Sequence, residues 1–269
     1  MISIFIVTYN NPLILEKNLE SLFAADLNGH QVSINIINNH TNFYLHPKFE
    51  SIKVLHNQTR PDFSTGHLSR NWNQAIINGF QNLARPACDI LITSQDDVTW
   101  QPNFINCVLQ NTEQYSFISV GSGDAVCIYK PEAIKRIGIW DEHFCNIGHQ
   151  EGDYFLRARI YNRLKSSIND HFHRRVLNPI ENEIINNDQS GFERKEDHHM
   201  KSMQYHHISE KYFLHKWNNF SPVHWPKLED EFPKHPKIKN FMLYPYFETK
   251  INQKLYALPI FQKRTIMMN

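Results

Sequence analysis

Cysteine is scarce in this chain. The four residues Cys88, Cys107, Cys127 and Cys145 are widely spaced and form no CxxC pair, which argues against a disulfide framework or a structural zinc site and for buried free thiols. Long apolar runs are missing too: nowhere do about 20 apolar residues follow one another, so no transmembrane helix is expected. No basic leader precedes the apolar opening Ile2-Ser3-Ile4-Phe5-Ile6-Val7. A cytoplasmic location is the expectation, with peripheral attachment to a membrane left open. Charge of one sign is equally absent. With 28 Lys and Arg against 27 Asp and Glu, the formal charge is +1, which gives no bulk electrostatic reason to expect nucleic acid as a partner. There is no HExxH and no glycine-rich loop ending in Gly-Lys-Ser/Thr, which argues against a zinc protease and a P-loop phosphotransferase.

What is present reads as a folded chain, 41% hydrophobic and 20% charged, in which short strands and helices alternate. Residues 2–7 predict a strand, 13–27 a helix, and 32–37 and 52–55 two further strands. The spacing of Leu68, Trp72, Ala75, Ile76, Gly79, Phe80 and Leu83 predicts a helix with one face on a sheet. Ile90-Leu91-Ile92-Thr93 has the short apolar form of a central parallel strand. Residues 115–129 read as strand, turn, strand around Gly121-Ser122-Gly123, with helices at 131–137 and 152–162. This alternation predicts an α/β layer architecture with ligands beyond the carboxyl ends of the strands. After Asn178 the character changes: a polar stretch at 186–199, a helix at 202–218, then five prolines between 222 and 245. The expected division is 1–177 as the binding and catalytic domain, with 178–269 as a helical and irregular extension. That extension could serve as an acceptor-side lid or an oligomer contact, such as a homodimer.

The strongest local signal is Asp96-Asp97, directly after the strand at 90–93. Paired carboxylates at a strand end can anchor Mg2+ or Mn2+ against phosphate oxygens; a solvated acidic turn would carry the same letters. Asp97 is the first choice as metal ligand, with Asp96 reaching the cation through water or binding sugar hydroxyls. A second acidic cluster is Glu151-Gly152-Asp153, where a helix start would gather carboxylates and free amides, with Arg157 projecting further on. Glu151 is the candidate base, and Asp153 binds the acceptor or orders the loop. Thr8, Tyr9 and Asn10, past the first strand, and Asn39, past the second, could hold a nucleobase or ribose. Arg70 and Asn71 could reach a base or diphosphate. Of the sixteen histidines, His171 and His173 follow an expected strand at 166–168, and His173 is taken as a third metal ligand. Trp140 could stack on a sugar ring.

In their order, Val7-Thr8-Tyr9-Asn10, Gly66-His67-Leu68-Ser69-Arg70-Asn71-Trp72-Asn73, Gln95-Asp96-Asp97-Val98, Trp140-Asp141-Glu142-His143-Phe144 and Gln150-Glu151-Gly152-Asp153-Tyr154-Phe155-Leu156-Arg157 resemble motifs of the inverting nucleotide-sugar glycosyltransferases of GT-A fold, especially glycosyltransferase family 2. Tyr212-Phe213-Leu214-His215-Lys216-Trp217 resembles a tail motif of that family. The resemblance implies a three-layer α/β/α sandwich with a mostly parallel sheet and a Mn2+ or Mg2+ cofactor. It further implies a nucleoside-diphosphate sugar as donor, a UDP-sugar first, and a saccharide or glycoconjugate acceptor. It implies Asp97 on the metal, Glu151 as base, and Asp124 against the donor sugar or acceptor. Two positions depart from the pattern: Asn38-Asn39 stand where the second strand commonly ends in Asp, and Gln95 replaces the first carboxylate of an acidic trio. A sugar nucleotidyltransferase and a catalytically silent glycan- or protein-binding domain are the rival readings.

Overall fold

The computed structural model describes residues 1–57, 68–121, 123–144, 149–164, 173–176, 184–187 and 209–213. The expected strand at 166–168, the polar stretch at 188–199, the prolines at 222–245 and Cys145 lie outside them. The other three cysteines are buried free thiols; burial pushes the Cys88 thiol up to about 12. In chain order the elements are β1 (Ile2–Thr8), α1 (Pro12–Ala24), β2 (Val32–Asn38), β3 (Lys53–His56), α2 (Leu68–Phe80), β4 (Ile90–Gln95), β5 (Val98–Trp100), α3 (Phe104–Gln114), β6 (Phe117–Val120), β7 (Val126–Tyr129), α4 (Pro131–Ile137), α5 (Gln150–Leu164), β8 (His173–Val176) and β9 (Ile185–Asn187).

Seven strands form one sheet in the order β3-β2-β1-β4-β7-β6-β8. β7 runs against both of its neighbours and every other pairing is parallel. The class is therefore α/β with a mostly parallel sheet. β1 lies inside it, between β2 and β4, and all seven of its residues are buried. Alternation sends its side chains to two layers. Ile2, Ile4 and Ile6 meet Leu15, Leu19 and Leu22 of α1 and Phe104, Ile105 and Val108 of α3. Phe5 and Val7 meet Trp72, Ala75, Ile76 and Phe80 of α2, in a core continued by α4 and α5. Two helical layers thus sandwich the sheet.

The register levels the strand ends. Thr8 pairs with Asn38, Asn38 with His56, and Val7 with Gln95. The chain therefore leaves β1, β2, β3 and β4 at one edge. Between β1 and β4 the order of connection reverses, so the crevice of an open α/β sheet falls where Thr8 meets Gln95-Asp96. β5 and β9 make a separate two-stranded ribbon just after the acidic turn. Among the described residues no helix is long and apolar enough to cross a membrane.

Candidate active site

The acidic turn is held by the end of β1 and by α1. Thr8 Oγ1 donates to Asp96 Oδ2 at 2.6 Å, a short charge-assisted bond that ties the end of β1 to the end of β4. Asn18 of α1, fully buried, donates from Nδ2 to the carbonyls of Gln95 and Asp96 at 3.2 and 3.4 Å, while its Oδ1 accepts from Trp100 Nε1 at 3.0 Å. The sequence reading overlooked Asn18. Its signal was a polar residue in the buried stripe Ile14, Leu15, Leu19, Leu22.

Across the edge lies the turn between β6 and β7. Asp124, 3% exposed, accepts Gln95 Nε2 at 2.8 Å, Trp72 Nε1 at 2.7 Å and Gln150 Nε2 at 3.4 Å. Burial raises its pKa above the ordinary carboxylate value, and these hydrogen bonds pull the other way. Gly123, at φ +59°, adopts the left-handed backbone this turn needs, and a Cβ there would stand 3.9 Å from Glu151 Cγ. Glu151 is half-buried at the start of α5. The turn at Asp96-Asp97 and the start of α5 therefore share one neighbourhood, joined through Gln95, Asp124 and Gln150.

Asp153 and Arg157 sit one turn further along α5. Their ion pair, 3.0 Å between Nε and Oδ2, has both side chains fully buried, and Arg157 Nη1 also donates to the carbonyls of Ile137 and Ile139 at 3.0 and 2.8 Å. The pair fastens α5 to the end of α4 and faces no solvent. Trp140 is likewise 0% exposed: its ring stacks on Tyr154 at 4.3 Å, and Nε1 donates to the Tyr129 hydroxyl at 3.1 Å. A core packing role replaces the expected sugar platform.

The nucleoside-binding candidates gather at the ends of β1 to β3. Asn39, 4% exposed, accepts at Oδ1 from Asn57 Nδ2 at 3.0 Å, and the same amide reaches Asn71 Oδ1 at 3.2 Å. Tyr9 meets the His40 ring edge-on at 5.1 Å, and Asn10 is exposed at φ 50°. Arg70, 55% exposed, pairs with Glu142 at 3.6 Å.

His173 does not join the acidic turn. It opens β8, paired with Phe117, whose partner Tyr129 pairs in turn with Leu91. Its backbone thus lies three strands over from β4, about 14 Å sideways, and level with a residue six positions before Asp97, about 20 Å back along the sheet. That separation exceeds the reach of an imidazole, so His173 cannot share a cation with Asp97. Asp97, a half-buried hard oxygen donor, fits Mg2+ or Mn2+ held jointly with phosphate oxygens and water. Among the described residues no three His, Cys, Asp or Glu side chains form a metal-holding group.

No protein-family model matches the chain, and no curated protein matches it in sequence. Among solved structures, S. aureus TarS 1-349 is 10% identical over 87% of this chain and 76% of its own, with a TM-score of 0.47. The mannosyltransferase PcManGT from Pyrobaculum calidifontis, solved with GDP-Man and Mn2+, is 10% identical over 64% of this chain, which spans 53% of it, with a TM-score of 0.43. GalNAc-T7, solved with UDP, GalNAc and Mn2+, is 9% identical over 58% of this chain and 40% of its own, with a TM-score of 0.42. The chain is similar in fold to these glycosyltransferases. At such identities and TM-scores the likeness carries no argument; the fold rests on the strand order and the chemistry on the site's own residues.

Proposed function

We propose that the protein is a metal-assisted, inverting glycosyltransferase. It would move a sugar from a nucleoside-diphosphate sugar, a UDP-sugar first, to a hydroxyl of a saccharide or glycoconjugate. One observation carries this reading: the carboxylates of Asp96-Asp97 and of Glu151 flank a single junction at the carboxyl edge of the sheet, where α/β folds bind their ligands. Asp97 would hold a divalent cation, which would supply charge neutralisation for the departing diphosphate. Asp96, fixed by Thr8, orients sugar hydroxyls or a bound water. Glu151 takes the proton of the acceptor hydroxyl as that oxygen attacks the anomeric carbon from the face opposite the diphosphate. The new C–O bond forms, the bond to the diphosphate breaks with its electron pair leaving on the phosphate oxygen, and the configuration inverts. Tyr9, Asn10, Asn39 and Asn71 surround the nucleoside, the three asparagine amides able both to donate and to accept. Arg70 reaches the diphosphate.

The test is a panel of UDP- and GDP-sugars with Mn2+ or Mg2+ and a mixture of saccharide acceptors, read by nucleotide release and by the anomeric configuration of the product. Acceptor-dependent release with inversion is expected. Pyrophosphate formed from a nucleoside triphosphate and a sugar phosphate, without sugar transfer, would overturn the proposal in favour of a nucleotidyltransferase.

A further inference from the structure

The buried carboxylate of Asp124 is divided between two parts of the site. Oδ1 accepts Gln95 Nε2, and Oδ2 accepts Trp72 Nε1 and Gln150 Nε2. All three donors are neutral. An ionised carboxylate can only accept, so it turns the nitrogen of each glutamine amide inward and fixes both rotamers. Gln95 directly precedes Asp96-Asp97, and Gln150 directly precedes Glu151. Asp124 therefore holds the neighbours of both acidic groups at once, and the Glu151 stem lies beside the turn, 3.9 Å from where a Cβ on Gly123 would stand.

We propose that Asp124 is a positioning residue whose grip on Gln95 and Gln150 sets where Glu151 stands relative to Asp96 and Asp97. Its catalytic consequence rests on the glycosyl-transfer reading; the junction itself does not. This role differs from the ligand contact implied by family resemblance, because both oxygens are buried and spent on protein donors. It also gives a physical reason for the amide at position 95. A carboxylate there would lie 2.8 Å from that of Asp124, where two like charges repel and neither can donate unless one is protonated. The glutamine donates instead.

Three variants test this: Asp124→Asn, Gln95→Glu, and the two together. Asp124→Asn turns an amide nitrogen toward a donor, and Gln95→Glu sets two carboxylates face to face. In the double variant the new amide donates to the new carboxylate, so the bond re-forms with its direction reversed while Trp72 and Gln150 keep an oxygen to donate to. Each single change is expected to loosen hydrogen exchange of the amides at 150–153 and to lower kcat about 100-fold, the scale of a small misplacement of reacting groups. Affinity for the Mn2+ nucleotide and the donor KM are expected to stay within about two-fold, since binding and turnover separate when only the base is displaced. The double variant should recover most of both losses. Should Asp124→Asn fail to fold, Gln150→Ala removes only the arm at the helix start and should give the same split at smaller size.

The proposal is overturned if the double variant is no better than the worse single one, or if kcat and nucleotide affinity fall together with the folded fraction. If the wild type transfers sugar from no donor, the glycosyl-transfer reading fails on its own. The junction is then decided by exchange at 150–153, where recovery in the double variant upholds it and no recovery overturns it.

Discussion

Tyr212 donates its hydroxyl to Asp141 Oδ2 at 2.9 Å, binding the helical turn at 209–213 to the segment that leads into α5. Oδ1 of the same carboxylate accepts from the backbone N and Nδ1 of His143 at 3.0 and 2.7 Å. Next to it, Phe213, 1% exposed, lies 6.4 Å from the Phe144 ring and 5.6 Å from that of His149. His149 is a non-glycine residue at φ 68°, and its carbonyl accepts from Asp153 N at 2.9 Å. An uncommon backbone conformation of this kind persists where surrounding contacts enforce it. Here one such contact is the Phe213 ring of the turn at 209–213, next to the helix start that carries Glu151.

Tyr212→Phe should therefore cost about 1–2 kcal/mol, because it removes one donor from a buried carboxylate and leaves the ring packing intact. Burial, with the charges of Asp141 and Asp153, holds the Tyr212 hydroxyl well above its ordinary pKa, so the loss should be the same from neutral to mildly alkaline pH. Urea denaturation at several pH values measures it. A variant as stable as the wild type would show that the hydroxyl contributes nothing.

A second prediction concerns pH. Burial raises the folded-state pKa of Asp124, so the folded chain holds that proton more tightly than the unfolded chain does. The associated stability is fully present below the ordinary carboxylate value and is lost as pH rises through the raised one. Asp124→Asn cannot titrate. It should flatten the melting temperature against pH across that window, whatever it does to the absolute stability. An unchanged slope would mean that Asp124 titrates as an ordinary carboxylate.

Asp153 and Arg157 invite a test of fold against chemistry. Removing one partner of a fully buried pair leaves an uncompensated charge, so Asp153→Ala should destabilise by about 3–5 kcal/mol. An acceptor-binding Asp153 would instead lose activity at full stability. The denaturation midpoint decides between the two.

Much of this was legible in the sequence, for local reasons. The helix expected at 131–137 is α4, opened by Pro131 and closed by Gly138 at φ 85°. The helix expected to reach Leu83 ends at Phe80 because Gln81 turns to φ 58°. β5, β9 and α3 escaped notice. The ribbon pairs segments far apart in the chain, and α3 alternates its buried residues with polar Asn and Gln and carries no side-chain cap. That Asp96, Asp97 and Glu151 stand at the ends of elements was readable, because β4 and α5 are themselves expected from the sequence. Roles set by tertiary contact were not. Nothing around Trp140 signals that Tyr154 covers its face, and the work of Asp124 depends on donors from three distant segments. The four-residue spacing of Asp153 and Arg157 on one helix is that of an ion pair, and the structure shows the pair formed.

The two carboxylates at the heart of the proposal predict different failures. Glu151→Gln keeps the shape of the side chain and removes its capacity to accept a proton, so kcat should fall about 10²- to 10⁴-fold, the usual worth of a general base. Nucleotide affinity should hold, because the base acts on the acceptor. If Asp97 is the proposed ligand, Asp97→Ala leaves a cation without its side-chain partner, so binding of the Mn2+ nucleotide and turnover should be lost together, while metal-free nucleotide binds as weakly as it does to the wild type. Adding Mn2+ in excess separates the cases further: it should partly restore nucleotide binding to Asp97→Ala, since phosphate oxygens still supply ligands, and do nothing for Glu151→Gln. Titration calorimetry with UDP in the presence and absence of Mn2+, beside turnover measurements, reads both. Equal loss of binding in the two variants would mean that Asp97 and Glu151 serve one role, and the division between leaving group and base would have to be abandoned.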